Sequence, residues 1–258
     1  MKSYKRNMKS ALLAVMLATP LMAMTAHDNH GVPAHIKAAV ENEARQSADK
    51  ERDQYRKPAQ LLTFAGVKPG MTVLDVNSGG GYFSEILSYA VGETGKLYAH
   101  NGPVYAAFNS PESQEKYKED RFKNVEVLLP PTENFDLPAA SVDMAFMVLA
   151  YHDYFYEAKT RKKPENMAEI LGSLHNVMKD NGMVIIVDHV APTGSGREAG
   201  NTYHRIDPAV VKMDMEAAGF TLVASSNIHE NKEDDHVKSP FDPSIRGRTD
   251  RFVYMFQK

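Results

Sequence analysis

From Thr72 onward the chain alternates short apolar runs with amphipathic segments, and this alternation constrains the fold more than any other feature. TVLDV (72–76), KLYAH (96–100), VEVLL (125–129), VDMAFMVLA (142–150) and MVIIVD (183–188) read as strands, largely without polar alternation. Runs of that kind are buried on both faces. Between them YFSEILSYAV (82–91) and PENMAEILGSLHNVM (164–178, closed by DNG) have helical spacing, and SPESQEKYKEDRF (110–122) predicts a polar helix. PAVVKMDMEAAGF (208–220) predicts a further helix closed by Gly219, before two last strands, TLVASSNI (221–228) and RFVYMFQ (251–257). With no helix between them, those two strands should run antiparallel. The expectation is an α/β fold: a seven-stranded, mostly parallel sheet with an antiparallel last strand and helices on both faces.

Open parallel sheets bind ligands at the carboxyl ends of their strands. The connections at 77–81, 101–110, 130–136, 151–164, 189–206 and 229–250 should therefore share one rim. The first of these is glycine-rich: VLDVNSGGGYFSE (73–85) is a strand, a tight loop and a helix start, with Asn77 where such loops usually begin on glycine. Asparagine is the next most tolerant residue for a left-handed conformation. The loop is altered but keeps Gly79, Gly80 and Gly81.

The amino end has another character. Residues 1–26 carry Lys2, Lys5, Arg6 and Lys9, no acidic residue, and an apolar run from Ala11 to Met24 that contains Pro20. This is the pattern of a signal peptide, with cleavage expected after Thr25 or Ala26, and the run is too short for a comfortable membrane span. The expected location is secreted, in the periplasm, with no stable membrane insertion after cleavage. The chain has 30 basic and 33 acidic residues; four of the basic ones lie in 1–26, leaving 26 against 33, about −7. A mildly acidic chain argues against nucleic acid as a partner. The absence of cysteine excludes disulfides, thiolate metal sites and cysteine nucleophiles. Residues 27–56 are polar, with helical spacing and little apolar content, and are expected to lie on the domain rather than enter its core. Residues 57–258 form the single main domain, its first helix stopping at Gly66.

RKPAQLLTFAGVKPGMTVLDV, GGGYFSEILSYAVGETGKLYA, AYHDYF, VDHVAPTGSG, YHRIDPAVV and FDPSIRGRTDRFVYMF, in this order, resemble a family of secreted bacterial proteins known as predicted methyltransferases. The layout and glycine loop resemble the class I S-adenosylmethionine-dependent methyltransferase fold. The resemblance implies S-adenosylmethionine as cofactor and methyl transfer to a small-molecule hydroxyl or amine. It implies cofactor contacts at Asp75, Asn77, Gly79, Gly80, Gly81, Asn101, Glu133 and Tyr151. Two departures stand out. Asn101 replaces the acidic residue that takes the ribose hydroxyls, and the acidic position near the adenine aligns with Pro131, with Glu133 and Asn134 close by.

The polar rim supplies the chemistry. AYHDYFY (150–156) follows the fourth strand, where the resemblance implies the wall between cofactor and substrate. His152 is the expected base, an imidazole of near-neutral pKa oriented by Asp153 or Asp188, with His189 and His204 as alternates. Asp207 is a candidate helix N-cap, and DDH (234–236) and FDPSIRGR bring His236, Arg246 and Arg248 to the same rim. The histidines invite a metal reading, but no compact ligand motif is present, and no metal is expected. Two other readings stay open: a binding protein on the same scaffold, and a metal-dependent hydrolase or lyase.

Overall fold

The computed structural model describes residues 31–106, 116–157 and 165–258. The expected signal peptide, His27, His30 and parts of the loops at 101–110 and 151–164 lie outside the described residues.

The apolar runs form the strands they predict: β1 (Thr72–Asp75), β2 (Lys96–His100), β3 (Val125–Leu128), β4 (Val142–Val148), β5 (Met178–His189), β6 (Thr221–Ser226) and β7 (Arg251–Gln257). They make one sheet in the order β3-β2-β1-β4-β5-β7-β6. β3, β2, β1, β4 and β5 are parallel, and β7 runs antiparallel between β5 and β6. Successive side chains leave opposite faces of a strand. Val73, Phe146, Ile185 and Val253 therefore enter one core layer, while Leu74, Met147, Ile186 and Phe252 enter the other. All eight are buried.

The helices, in chain order, are α1 (Ala34–Val40), α2 (Ser47–Glu51), α3 (Asp53–Arg56), α4 (Pro58–Ala65), α5 (Tyr82–Val91), α6 (Pro103–Ala106), α7 (Met167–Val177), α8 (Glu198–Tyr203) and α9 (Pro208–Ala217). Leu61 and Leu62 of α4 and Ile86 and Leu87 of α5 cover one face. Ile170, Leu174, Val211 and Met215 of α7 and α9 cover the other.

The amino-terminal segment departs from expectation. Ile36 and Ala39 of α1 are buried in the α4–α5 layer, so it contributes to the core despite its polar composition. Arg45 fastens it: its guanidinium donates to both oxygens of Asp53 at 2.7 and 2.8 Å, and Tyr82 of α5 donates its hydroxyl to the same carboxylate.

Two predicted boundaries are corrected. Of the helix expected at 110–122, residues 110–115 lie outside the described residues, and the remainder forms short 3-10 turns at Lys116–Lys118 and Asp120–Phe122. Within 116–122 the fully buried side chain is that of Phe122. The helix before β5 ends at Val177, ahead of DNG. That tripeptide lies inside β5: Asn181 takes φ 63°, and the pairing with β4 shifts register between Val142 and Met144. DNG is thus part of a strand irregularity, not a helix stop.

The long connection 229–250 is held by one buried ion pair. Arg205, fully buried, donates to both oxygens of Asp234 at 2.9 and 3.0 Å, and to the carbonyls of Lys238 and Val190. Removing one member of such a pair leaves the other charge buried without its counterion. Arg205→Met should lower the unfolding free energy by about 3–5 kcal/mol in chemical denaturation. A double change that also replaces Asp234 with Leu should cost less than the sum of the two single changes.

Candidate active site

The carboxyl ends of β1, β2, β4 and β5 meet at one rim, and the residues there bond mainly to one another. Asn77 takes the left-handed conformation that the loop requires, at φ 52°. Its side chain does more than a glycine could. Nδ2 donates to the Tyr154 hydroxyl at 3.0 Å, and Oδ1 accepts from the Gly102 N–H at 3.2 Å. The carboxamide thus joins the loop after β1 to the turn after β4 and the loop after β2.

Asn101, at the end of β2, accepts the Gly79 N–H at 2.9 Å and donates to Ser78 Oγ at 3.1 Å and the Gly79 carbonyl at 3.3 Å. The glycines differ in surroundings. A Cβ at Gly79 or Gly80 would meet open space, whereas one at Gly81 would fall 1.8 Å from the Tyr117 hydroxyl. Lys116 donates to the Gly80 and Gly81 carbonyls. Asp75 lies beneath the loop, bonded by Ser84 Oγ at 2.6 Å. Burial lifts its carboxyl to about 7, against the opposing pull of that bond. α5 begins at Gly81 without a capping side chain, so its first N–H groups face the loop.

The second half of the rim is a carboxylate–imidazole cluster. Asp188, fully buried at the end of β5, accepts from the His152 backbone N–H at 2.9 Å, from His152 Nδ1 at 2.7 Å and from the His189 N–H at 2.7 Å. His152 Nε2 lies 3.3 Å from Asp153 Oδ1, and His204 Nε2 lies 3.3 Å from the same oxygen. The Tyr105 hydroxyl donates to the other oxygen of Asp153. The rings of His152 and His204 are 4.4 Å apart, and those of His152 and His189 are 5.5 Å apart.

Residues 152 and 204, distant in sequence, are brought together by a backbone approach. A Cβ at Gly200 in α8 would fall 2.7 Å from Phe155 Cβ and 2.8 Å from the His152 carbonyl. Only glycine lets α8 lie against the turn His152–Phe155. The helix then ends at His204, held at φ 57°.

The three imidazoles are electrostatically distinct. Burial is the largest influence on His152 and opposes its charge, but Asp188 and Asp153 outweigh it and raise the imidazole to about 9. The near-neutral base expected from the sequence is therefore an imidazolium at pH 7. Burial and then the His152 charge push His204 down. Burial, followed by Arg251, pushes His189 well down, and its Nδ1 pairs with Thr249 Oγ1 at 2.7 Å.

Other expected residues go elsewhere. Tyr151 does not reach the glycine loop: it is fully buried, and its hydroxyl donates to Asp214 of α9 at 2.9 Å. Tyr154, three residues on, makes the loop contact. Glu133 is half-buried on the connection after β3. His236 pairs with Asp250 at 2.9 Å, and Arg248 donates to the Ser244 carbonyl. Asp207 caps α9 by accepting from the Ala209 N–H.

His100 escaped the sequence reading, although its place at a strand end beside Asn101 marks it. It accepts from the Asn77 N–H at Nδ1 and donates from Nε2 to the Pro130 carbonyl at 2.9 Å, which ties the loops after β1 and β3. A groove of about 1280 Å³ also opens on the opposite rim, at the amino ends of β2 and β3, lined by His35, Asn42, Tyr89, Lys96 and Arg121 among others. It contains none of the strand-end residues, and the carboxyl edge is where open sheets of this kind bind ligands.

This topology is the Rossmann-like methyltransferase fold, and solved structures place it there. A S-adenosylmethionine-dependent methyltransferase from Aquifex aeolicus matches at TM-score 0.55 and 24% identity, over 80% of this chain and 97% of that one. One from Mesorhizobium loti matches at TM-score 0.53 and 13% identity, over 79% and 98%. The Burkholderia thailandensis 1,6-didemethyltoxoflavin-N1-methyltransferase, solved with bound 1,6-didemethyltoxoflavin and S-adenosylhomocysteine, matches at TM-score 0.50 and 19% identity, over 82% and 78%. No family model and no curated protein sequence matches the chain. At these identities the likeness is one of fold.

Asn77→Gly restores the customary glycine yet removes both carboxamide bonds. It should lower stability by about 1–2 kcal/mol in thermal or chemical unfolding. His100 gives a second expected outcome. Burial lowers its imidazole from 6.5 to about 4. Between those values the unfolded chain binds a proton that the folded chain does not, so its contribution is complete above 6.5 and is lost as pH falls toward 4. Asp75, raised from 3.8 to about 7, titrates in the opposite sense across that whole range, so the comparison is between variants. Stability of His100→Gln should fall less steeply between pH 6.5 and 4, by up to about 1.4 kcal/mol per pH unit.

Proposed function

We propose that this protein transfers a methyl group from S-adenosylmethionine to a small molecule bearing a hydroxyl or amine. The observation that carries this reading is the junction at Asn77, which joins an open glycine loop to a proton-handling cluster on one rim. The cofactor supplies a methyl group on an electrophilic sulfonium. The residues present fit it. The space above Gly79 and Gly80, which a side chain would fill, admits close approach to the backbone. The uncapped N–H groups of α5 suit a carboxylate. Asn101 Oδ1 accepts the Gly79 N–H and retains capacity for one further donor, such as a ribose hydroxyl.

The acceptor is held against His152, Asp153 and His204, where orientation and removal of its proton are the protein's contributions. His204 is half-buried, and its lowered pKa leaves it neutral at pH 7. We also propose that the chain is exported to the periplasm, on the basic and apolar pattern of residues 1–26.

A second reading, binding without methyl transfer, is favoured by one observation: all three Asn101 contacts are spent within the glycine loop. Calorimetric titration with S-adenosylmethionine separates the two. Micromolar binding, lost by about tenfold or more in Gly79→Val, is expected from the interrupted backbone approach. No binding at millimolar cofactor would exclude the methyltransferase reading. Once an acceptor is identified, His152→Ala and His204→Ala should each reduce turnover by about 10²-fold or more while leaving cofactor affinity within a few-fold.

A further inference from the structure

We propose that His152 Nε2, Asp153 Oδ1 and His204 Nε2 form a binding site for one divalent transition-metal ion of the zinc or ferrous class. The three atoms lie within 4.8 Å of one another, and two of the three separations are 3.3 Å. Nitrogen and oxygen ligands held about 2.0–2.2 Å from a common tetrahedral ion are themselves roughly 3.3–3.6 Å apart.

An independent observation points to a ligand. His152 Nε2 is completely buried and has no hydrogen-bond partner among the described residues, in a side chain only 3% exposed. Its near neighbour, Asp153 Oδ1 at 3.3 Å, stands at ion-pair distance without making a hydrogen bond. The orientation of His152 is set from the other side of the ring. Nδ1 donates to Asp188, so when an arriving cation displaces the Nε2 proton to solvent, the lone pair exposed points toward Asp153 and His204. A carboxylate behind a ligating histidine is the arrangement that fixes tautomer and ring direction at metal centres. Asp153 is steadied in the same way, its second oxygen accepting the Tyr105 hydroxyl.

The donor set chooses the ion. Two imidazoles and one carboxylate suit zinc, iron or cobalt, whereas magnesium and calcium prefer oxygen alone. Three protein ligands leave at least one position for water or an oxygen or nitrogen of a small molecule. The open side is next to His204, whose side chain is 18% exposed and whose ring stands 5.0 Å from that of the exposed Phe241. The site coincides with the position proposed for the methyl acceptor, but three side chains define it whether or not cofactor or acceptor binds.

The test therefore uses no cofactor and no acceptor. The purified chain, stripped with a chelator, is titrated with Co²⁺ alone and followed by visible absorption. One equivalent should bind at micromolar concentration or below, with a d–d band that bleaches when Zn²⁺ is added. His152→Ala takes the imidazole donor from buried Asp188 and can misfold, so His204→Ala and Asp153→Asn carry the experiment, with folding checked by circular dichroism. Each should weaken cobalt binding by about 100-fold or more, while His236→Ala, outside the cluster, should bind as the unaltered chain does. No binding at millimolar Co²⁺, or equal binding by folded His204→Ala, would overturn the proposal. Because binding is read without methyl transfer, metal binding without S-adenosylmethionine binding contradicts only the methyltransferase reading, and the converse contradicts only this one.

Discussion

The Asp188 carboxylate is the interaction on which the rim depends. It is fully inside the protein and accepts three N–H groups, two from His152 and one from His189. A buried carboxylate is tolerable only with such partners. In satisfying it, the chain fixes the turn after β4 against the end of β5 and points His152 across the rim. Asp153, Tyr105 and His204 then gather around the free side of that ring. The cluster is thus a consequence of a charge placed at the centre of the sheet's carboxyl edge.

Asn77 connects this cluster to the glycine loop. A glycine would satisfy the backbone conformation equally well, so the reason for asparagine is its side chain. By bonding Tyr154 and Gly102 it makes three loops, after β1, β2 and β4, one hydrogen-bonded unit. His100 adds the loop after β3 through Pro130. The scaffold alone does not specify a reaction. In this chain, loop and cluster share a bonded framework.

The fold was legible because its central strands are buried on both faces, which leaves apolar runs such as MVIIVD with no other use. Where burial is shallow, legibility failed. The described part of the polar stretch before β3, 116–122, forms turns anchored by Phe122, and DNG reads as a helix stop but lies inside a strand. For the site, topology placed the strand-end residues correctly on one rim, yet it could not say which would touch. Tyr151 and Tyr154 are alike in sequence, and the choice between them is made by Asp214 on a helix some sixty residues away. His152 and His204 meet because Gly200 lacks a Cβ, a packing effect with no periodic signature. The charge on His152 likewise depends on two carboxylates whose distances no sequence shows.

The central claim is that the glycine loop and the histidine cluster form one ligand site. Hydrogen–deuterium exchange with and without S-adenosylhomocysteine tests it most directly. The account predicts slowed exchange at 76–82, at 100–102 and at 152–155 together, because the Asn77 and Asn101 carboxamides bind these segments into one unit. Protection confined to the groove beside His35 and Arg121, or no protection at any of the three segments, would contradict it.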